Sequence, residues 1–489
     1  MKKRGIIVFM TVAVAGTLFA QSPKPGAITP ETLAGFDKQL AADPSLTRIV
    51  NAATNNSIKD LSLNREMVTK FDGRFNFELK SSKVIDQKSS GRCWMFAGAN
   101  TVTPKAMSKL KLSEFTLSQA YISFYDRLEK SNFFLETMIT MRERPITDRA
   151  LQMYLENPIG DGGWWQYFEG LIRKYGVVPS SAMPETKQSS STGTTNSLIS
   201  TLLRKSAAGI RQMAKSGEKE PAIRKYKERM LGDIYRLLVC AYGRPPKEFV
   251  FRYEATPEKD TSLLAKADST KKDENGDKKT WVEKTFTPHS FFTEMYGDLS
   301  TDYVAIVHNP AEKDKTLFEL VSSRNIFEQP DVRFLNMPIA TLKKYAQAMI
   351  RDSQIVWFAC DVGRDNYGDS GMFAANVWDY STSLGIDFST NKADRIAYRD
   401  ENPNHAMVLL GIDTSLDGSV RKWKVENSWG SSAGSGGFWT MYDSWFDDNV
   451  LLVMVDKKLL SPEDSALLEQ KPTRIEDWQT FYKALTELK

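Results

Sequence analysis

The chain has 489 residues, 41% of them hydrophobic and 26% charged, which excludes a disordered or fibrous protein and allows at least one large buried core. Its formal charge is +4, and Lys2, Lys3 and Arg4 supply three of those charges; without them the balance is +1, too weak a basic field for a nucleic-acid partner to be expected.

Those three cations precede an uncharged run from Gly5 to Ala20 and then polar Gln21 and Ser22, the pattern of a secretory signal over residues 1–20. The run is shorter than the ~20 apolar residues a spanning helix needs. The expectation is a bacterial protein exported to the periplasm or beyond, with no stable membrane insertion once the signal is removed. Cys93, Cys240 and Cys360 are too few and too scattered for a disulfide scaffold. Cys240 and Cys360 lie in apolar runs and are expected to be buried as small hydrophobes.

Residues 21–70 carry few periodic signals and read as an N-terminal arm. From Ser89 to Val102 a polar turn opens into a helix that Pro104 is expected to end or kink, with Cys93 in its first turn. Further helices are predicted at about 113–128, 143–156 and 163–175. The stretch 196–240 interleaves Lys and Glu around Leu, Ile and Met, as a solvated helical hairpin does, and 256–280 reads as an exposed loop. Strand signals then follow at Tyr303–Val307, Ile355–Ala359, Ala406–Leu410, Lys422–Glu426, Gly437–Met441 and Val450–Val455. A helical first half and a strand-rich second half leave a cleft between them, where sites are often found.

A cysteine at a helix start is where a thiol becomes useful, because unpaired N–H groups and the helix dipole favour the thiolate. A base must complete the activation. His289 and His308 sit in polar or turn-like surroundings, whereas His405 opens a predicted strand and can project from a rigid rim toward a facing helix. The next strand ends in Glu426-Asn-Ser-Trp-Gly430, so Asn427 can accept the second imidazole N–H and Trp429 can shield that bond from water. Gln87 and the Cys93 N–H can supply the two donors that a developing oxyanion needs. No metal site is visible in three isolated histidines, and no cofactor is expected.

Gln87, Gly91-Arg-Cys-Trp94, Asn404-His-Ala406 and Asn427-Ser-Trp-Gly430 occur in the order of the papain superfamily, but with about 310 residues between Cys93 and His405 where papain has about 130 to 150. Asp86–Ala97, Gly160-Asp-Gly-Gly163, Lys174–Pro179, Met183-Pro-Glu-Thr186, Val356–Gly363, Lys424–Gly430 and Val455-Asp-Lys-Lys458 resemble the bleomycin hydrolase and aminopeptidase C family, from about Phe71 to Trp478.

The resemblance implies an α+β, papain-like cysteine peptidase fold, with a helical half, a β-barrel-like half and large helical insertions. On that frame residues 71–195 form the helical part with the cysteine, 196–300 the inserted hairpin and loop, 301–460 the part with the histidine and asparagine, and 461–489 a tail. It implies catalytic roles for Gln87, Cys93, His405 and Asn427, and substrate binding at Asp161, Gly162, Gly163, Asn404, Ala406 and Trp429. It further implies peptide substrates, a homohexamer, and an aminopeptidase whose C-terminal tail occupies the cleft. This tail is longer and differently composed than the family's, which leaves an endopeptidase or dipeptidyl-type peptidase as the alternative, or an idle peptide-binding scaffold.

Overall fold

The computed structural model describes residues 24–110, 112, 114–255, 280–297, 303–401, 403–476 and 479. The segment read as an export signal, nearly all of the 256–280 loop and all but one residue of the tail after Trp478 lie outside the described residues.

Two compact units emerge, one of residues up to Leu63 together with Tyr380–Asp387, the other of Asn64–Asp379 together with Phe388–Lys489. In the small unit the expected arm is helical, with helices Pro30–Ala41, Leu46–Ala53 and Ile58–Leu61. Caps set their starts: Thr29 accepts from the Thr32 N–H with Pro30 next to it, and Ser57 accepts from the Asp60 N–H. None of the three buries a residue fully.

In the large unit the helical part is built from α1 (Cys93–Leu110), α2 (Gln119–Thr140), α3 (Trp165–Tyr175), α4 (Gly193–Lys215) and α5 (Glu220–Tyr242). Helix α1 runs through Pro104 to Leu110, because Val102 and Ala106 on either side of the proline are buried and tertiary packing outweighs the lost hydrogen bond. Ser118 caps α2 through the Tyr121 N–H at 3.1 Å, and buried Phe134, Leu135, Met138 and Ile139 carry that helix past the expected end. Helices α4 and α5 form the expected hairpin, burying Ile199, Leu203 and Ile210 on one and Ile223, Ile234 and Leu238 on the other. Cys240 corrects an expectation: it is exposed, because Leu238 and Ala241 take the inward face of α5 and Cys240 falls on the opposite side.

The strand-rich part is one sheet of β1 (Tyr303–Val307), β2 (Thr316–Leu320), β3 (Arg333–Asn336), β4 (Val356–Cys360), β5 (His405–Thr414), β6 (Val420–Glu426), β7 (Phe438–Tyr442) and β8 (Val450–Asp456). Their spatial order is β2-β3-β1-β8-β4-β5-β6-β7, extended by Thr473–Ile475 beside β2 and by two short strands beyond β7. Strands β4, β5 and β6 are antiparallel, with His405 paired to Cys360 and Val408 to Glu426. Side chains alternate along β5: Ala406 and Val408 join the core that includes α1, whereas Met407 and Leu409 pack with Trp423 and with Leu342 and Met349 of the helix Ile339–Arg351. Strands β2 and β3 have no counterpart among the sequence signals, because Glu319 in the one and Arg333 and Asn336 in the other interrupt their apolar runs.

Helix α1 is wedged between the sheet and α3. The Trp357 indole of β4 donates to the Trp94 carbonyl at 3.0 Å, and Gly98 lies against Phe168 of α3, where an added Cβ would come within 2.7 Å of the ring. Gly98→Val is therefore expected to cost about 1–3 kcal/mol by overpacking, measured by chemical denaturation; an unchanged midpoint would show that this contact yields freely.

Candidate active site

Cys93 is fully buried at the first turn of α1, where the Arg92 carbonyl receives the Met95 and Phe96 N–H groups at 3.0 and 3.2 Å. Arg92 is itself buried and held at both ends of its guanidinium. Its Nε donates to Ser90 Oγ at 2.9 Å, and its two terminal nitrogens grip Glu185 at 3.0 and 2.9 Å. Glu185 lies in the Met-Pro-Glu-Thr motif, which the sequence offered only as a family marker. Its positioning of the residue before Cys93 needed the structure to be seen.

The sulfur lies near β5, where the Ala406 N–H, one residue after His405, pulls the thiol toward its charged form. The His405 Nε2 is 2.8 Å from Asn427 Oδ1, and the same oxygen accepts the Ser428 N–H at 2.8 Å. Two donors on one oxygen hold the amide with its oxygen toward the ring, so the imidazole donates from Nε2 and keeps Nδ1 as its basic nitrogen. Trp429 covers this arrangement, its ring stacked on His405 with centroids 4.9 Å apart.

Gln87 is brought to the same place by a strand-like bridge. Asp86 pairs with Trp429, and the Gln87 N–H donates to the Ser428 carbonyl at 2.8 Å. Its side-chain oxygen accepts from Ser428 Oγ at 2.5 Å and its amide nitrogen donates to the Ser90 carbonyl at 2.6 Å, which leaves one amide hydrogen for a further acceptor. Ser428 and Ser90 thus fix the orientation of Gln87, a role that their residue type gave no reason to expect.

Burial dominates the protonation of the pair. It pushes the Cys93 thiol up to about 12, against the opposing pull of the Ala406 and Trp94 N–H groups. It pushes His405 down to about 4, although the bond to Asn427 works the other way. Burial thus works against the charged form of each group taken singly.

The other two histidines stand apart. His289 is exposed at a helix start, and His308 is half-buried, its Nδ1 3.0 Å from the Met337 carbonyl rather than on the expected surface turn. Among the described residues no three His, Cys, Asp or Glu side chains gather into a metal-binding cluster.

Residues 27–481 match the Peptidase C1-like family. The chain belongs to the Peptidase C1-like family. It is 35% identical to Aminopeptidase C of Streptococcus thermophilus over 88% of this chain and 93% of the relative, and 34% identical to Aminopeptidase G of Lactobacillus delbrueckii subsp. lactis over 93% and 99%. The crystal structure of PepW from Lactobacillus rhamnosis HN001 superimposes with a TM-score of 0.86 at 33% identity, covering 94% of this chain and 99% of that one. The expected papain-like fold with inserted helices is the one the chain adopts, and the family makes it a cysteine peptidase.

In this peptidase the glycine loop is more deeply embedded than a plain substrate ledge. The Asp161 carboxylate accepts from the Gly91 N–H at 2.7 Å, from Thr192 Oγ1 at 2.5 Å, from Asn196 at 2.6 Å and from the buried guanidinium of Arg127. Burial alone would raise its pKa, but Arg127, Asn196, Thr192 and the Gly91 N–H together hold it well below the usual carboxylate range. These contacts occupy both oxygens and tie the loop to the turn before Cys93. Gly163 packs face-on against Trp94, since a Cβ there would stand 2.6 Å from the indole. The Asn404 side chain turns to the 361–363 turn, accepting from the Val362 N–H at 2.9 Å and donating to Asp361 at 2.7 Å.

The protonation of His405 has a stability consequence. Its folded pKa, about 4, lies below the ordinary 6.5, so between those values the unfolded chain binds a proton that the folded one refuses. That contribution is fully present above pH 6.5 and is lost as the pH falls to 4, about 3 kcal/mol in all. His405→Gln is expected to lose less stability than the unsubstituted peptidase between pH 7.5 and 4.5, followed by urea denaturation; parallel losses would contradict a buried neutral imidazole.

Proposed function

We propose that this peptidase is an aminopeptidase, with Cys93 as nucleophile, His405 as acid and base, Asn427 as the group that orients the ring, and Gln87 with the Cys93 N–H as oxyanion donors. The observation that carries the reading is the 2.8 Å bond from His405 to Asn427, made at the start of the strand that faces α1, whose first residue is the buried Cys93.

On this reading the Cys93 proton moves to His405 Nδ1 as the thiolate attacks a peptide carbonyl, and the imidazolium then protonates the leaving amine. Water, deprotonated by His405, hydrolyses the thioester and releases the acyl part as a carboxylate. Proton transfer within a dry pair costs less when the ions formed are met by fixed dipoles. The Ala406 and Trp94 N–H groups favour the charged sulfur, and Asn427 favours the charged ring. The names of the relatives, Aminopeptidase C and Aminopeptidase G, support action at the amino end of peptides.

Two measurements test this. Cys93→Ala is expected to abolish turnover of aminoacyl fluorogenic substrates with the unfolding midpoint retained, and residual turnover would refute the nucleophile. Peptides with a free amine are expected to be cleaved and their N-acetylated forms refused; equal cleavage of both would replace the aminopeptidase with an endopeptidase.

A further inference from the structure

Besides Arg127 at Asp161, a second cation holds the loop that carries Gly162 and Gly163. Lys130 of α2 donates through Nζ to the Gly160 carbonyl at 3.1 Å and to the Gly162 carbonyl at 2.6 Å. Its third partner is the Asp126 carboxylate, one turn earlier, at 2.8 Å. Asp126 is fully buried and is oriented by Asn325, which donates to it at 3.1 Å. The ammonium also lies 5.4 Å from the centre of the Trp94 ring, the residue after Cys93, and 5.7 Å from that of Tyr167.

A buried ion pair is weak evidence for stability, because well-packed hydrocarbon of similar volume serves a fold as well or better. What hydrocarbon cannot do is choose which way a peptide unit faces. In a trans peptide the carbonyl and the following N–H point in opposite directions. By drawing the Gly162 carbonyl to one side, Lys130 turns the Gly163 N–H to the other, away from α2. The charge on the oxygen also polarises the unit and strengthens that N–H as a donor. With Asp161 anchored to the Gly91 N–H and its carbonyl accepting the Trp94 indole at 2.6 Å, the segment has no slack to turn back.

We propose that Lys130 is a positioning residue of the peptidase, whose ammonium aims the Gly162–Gly163 peptide unit so that its N–H pairs with substrate backbone. This rests on the reading of the glycine loop as a substrate-binding strand in a peptidase. Because that pairing is made with bound substrate throughout the reaction, its loss appears in KM and not in kcat.

The test removes both charges together, so that no carboxylate is left unpaired in the interior. Asp126→Asn with Lys130→Met is expected to raise KM for an aminoacyl substrate about tenfold with kcat little changed. Alkylation of Cys93 by iodoacetamide, too small to need the loop, is expected to proceed at the unsubstituted rate in this variant. Asp126→Asn with Lys130→Gln, which keeps one donor for the Gly162 carbonyl, is expected to recover most of the loss, and it still reports on the clamp if the methionine variant fails to fold. A KM in the glutamine variant equal to that of the methionine variant, an unchanged KM in both, or kcat and alkylation falling along with binding would overturn the proposal. Failure of the unsubstituted enzyme to turn over any peptide would instead sink the peptidase reading on which it rests.

Discussion

One oxygen atom, Oδ1 of Asn427, receives both the His405 ring at 2.8 Å and the Ser428 N–H at 2.8 Å, and the rest of the site is arranged around that coincidence. It settles the amide, the amide settles which imidazole nitrogen carries hydrogen, and the other nitrogen is thereby a base. The register of the sheet makes it possible. With Val408 opposite Glu426, the residues that follow the end of β6 run alongside the start of β5. The same continuation lays Trp429 over the ring and, through its bridge to Asp86, brings Gln87 to the group.

Three cations of the helical part are held in the interior against carboxylates. Arg92 is gripped by Glu185, Arg127 reaches Asp161, and Lys130 pairs with Asp126. Paired charges in low dielectric are strong where a substrate has to be met by fixed dipoles, and an unpaired one there would be costly. The inserted helices take part in this network. Thr192 and Asn196, at the start of α4, hold Asp161, so the hairpin that separates the cysteine from the histidine in sequence also steadies the turn on which the cysteine sits.

Much of this was legible beforehand. Cys93, His405 and Asn427 stood out because each combined a reactive residue type with a distinctive local setting: a polar turn before a helix, the opening of an apolar strand, and a tryptophan next door. The long strands β5, β6 and β8 were legible from their apolar runs. Cys240 was not, because an apolar neighbourhood in sequence does not say which side of a helix a residue takes. The resemblance names Asn404 as substrate-binding, and what it could not give is the side chain's partners in a turn some forty residues earlier.

By itself the sequence determined the residue types that can do the chemistry, the helices and strands on which they ride, and the family to which they point, because these depend on local pattern and motif order. Only the tertiary structure decided which hydrogen-bonding partners each group finds. Glu185 for Arg92, Ser428 for Gln87, and Asn196 and Arg127 for Asp161 lie tens to hundreds of residues from what they hold. Pairings over such distances are set by sheet register and helix packing, which no local stretch of sequence encodes.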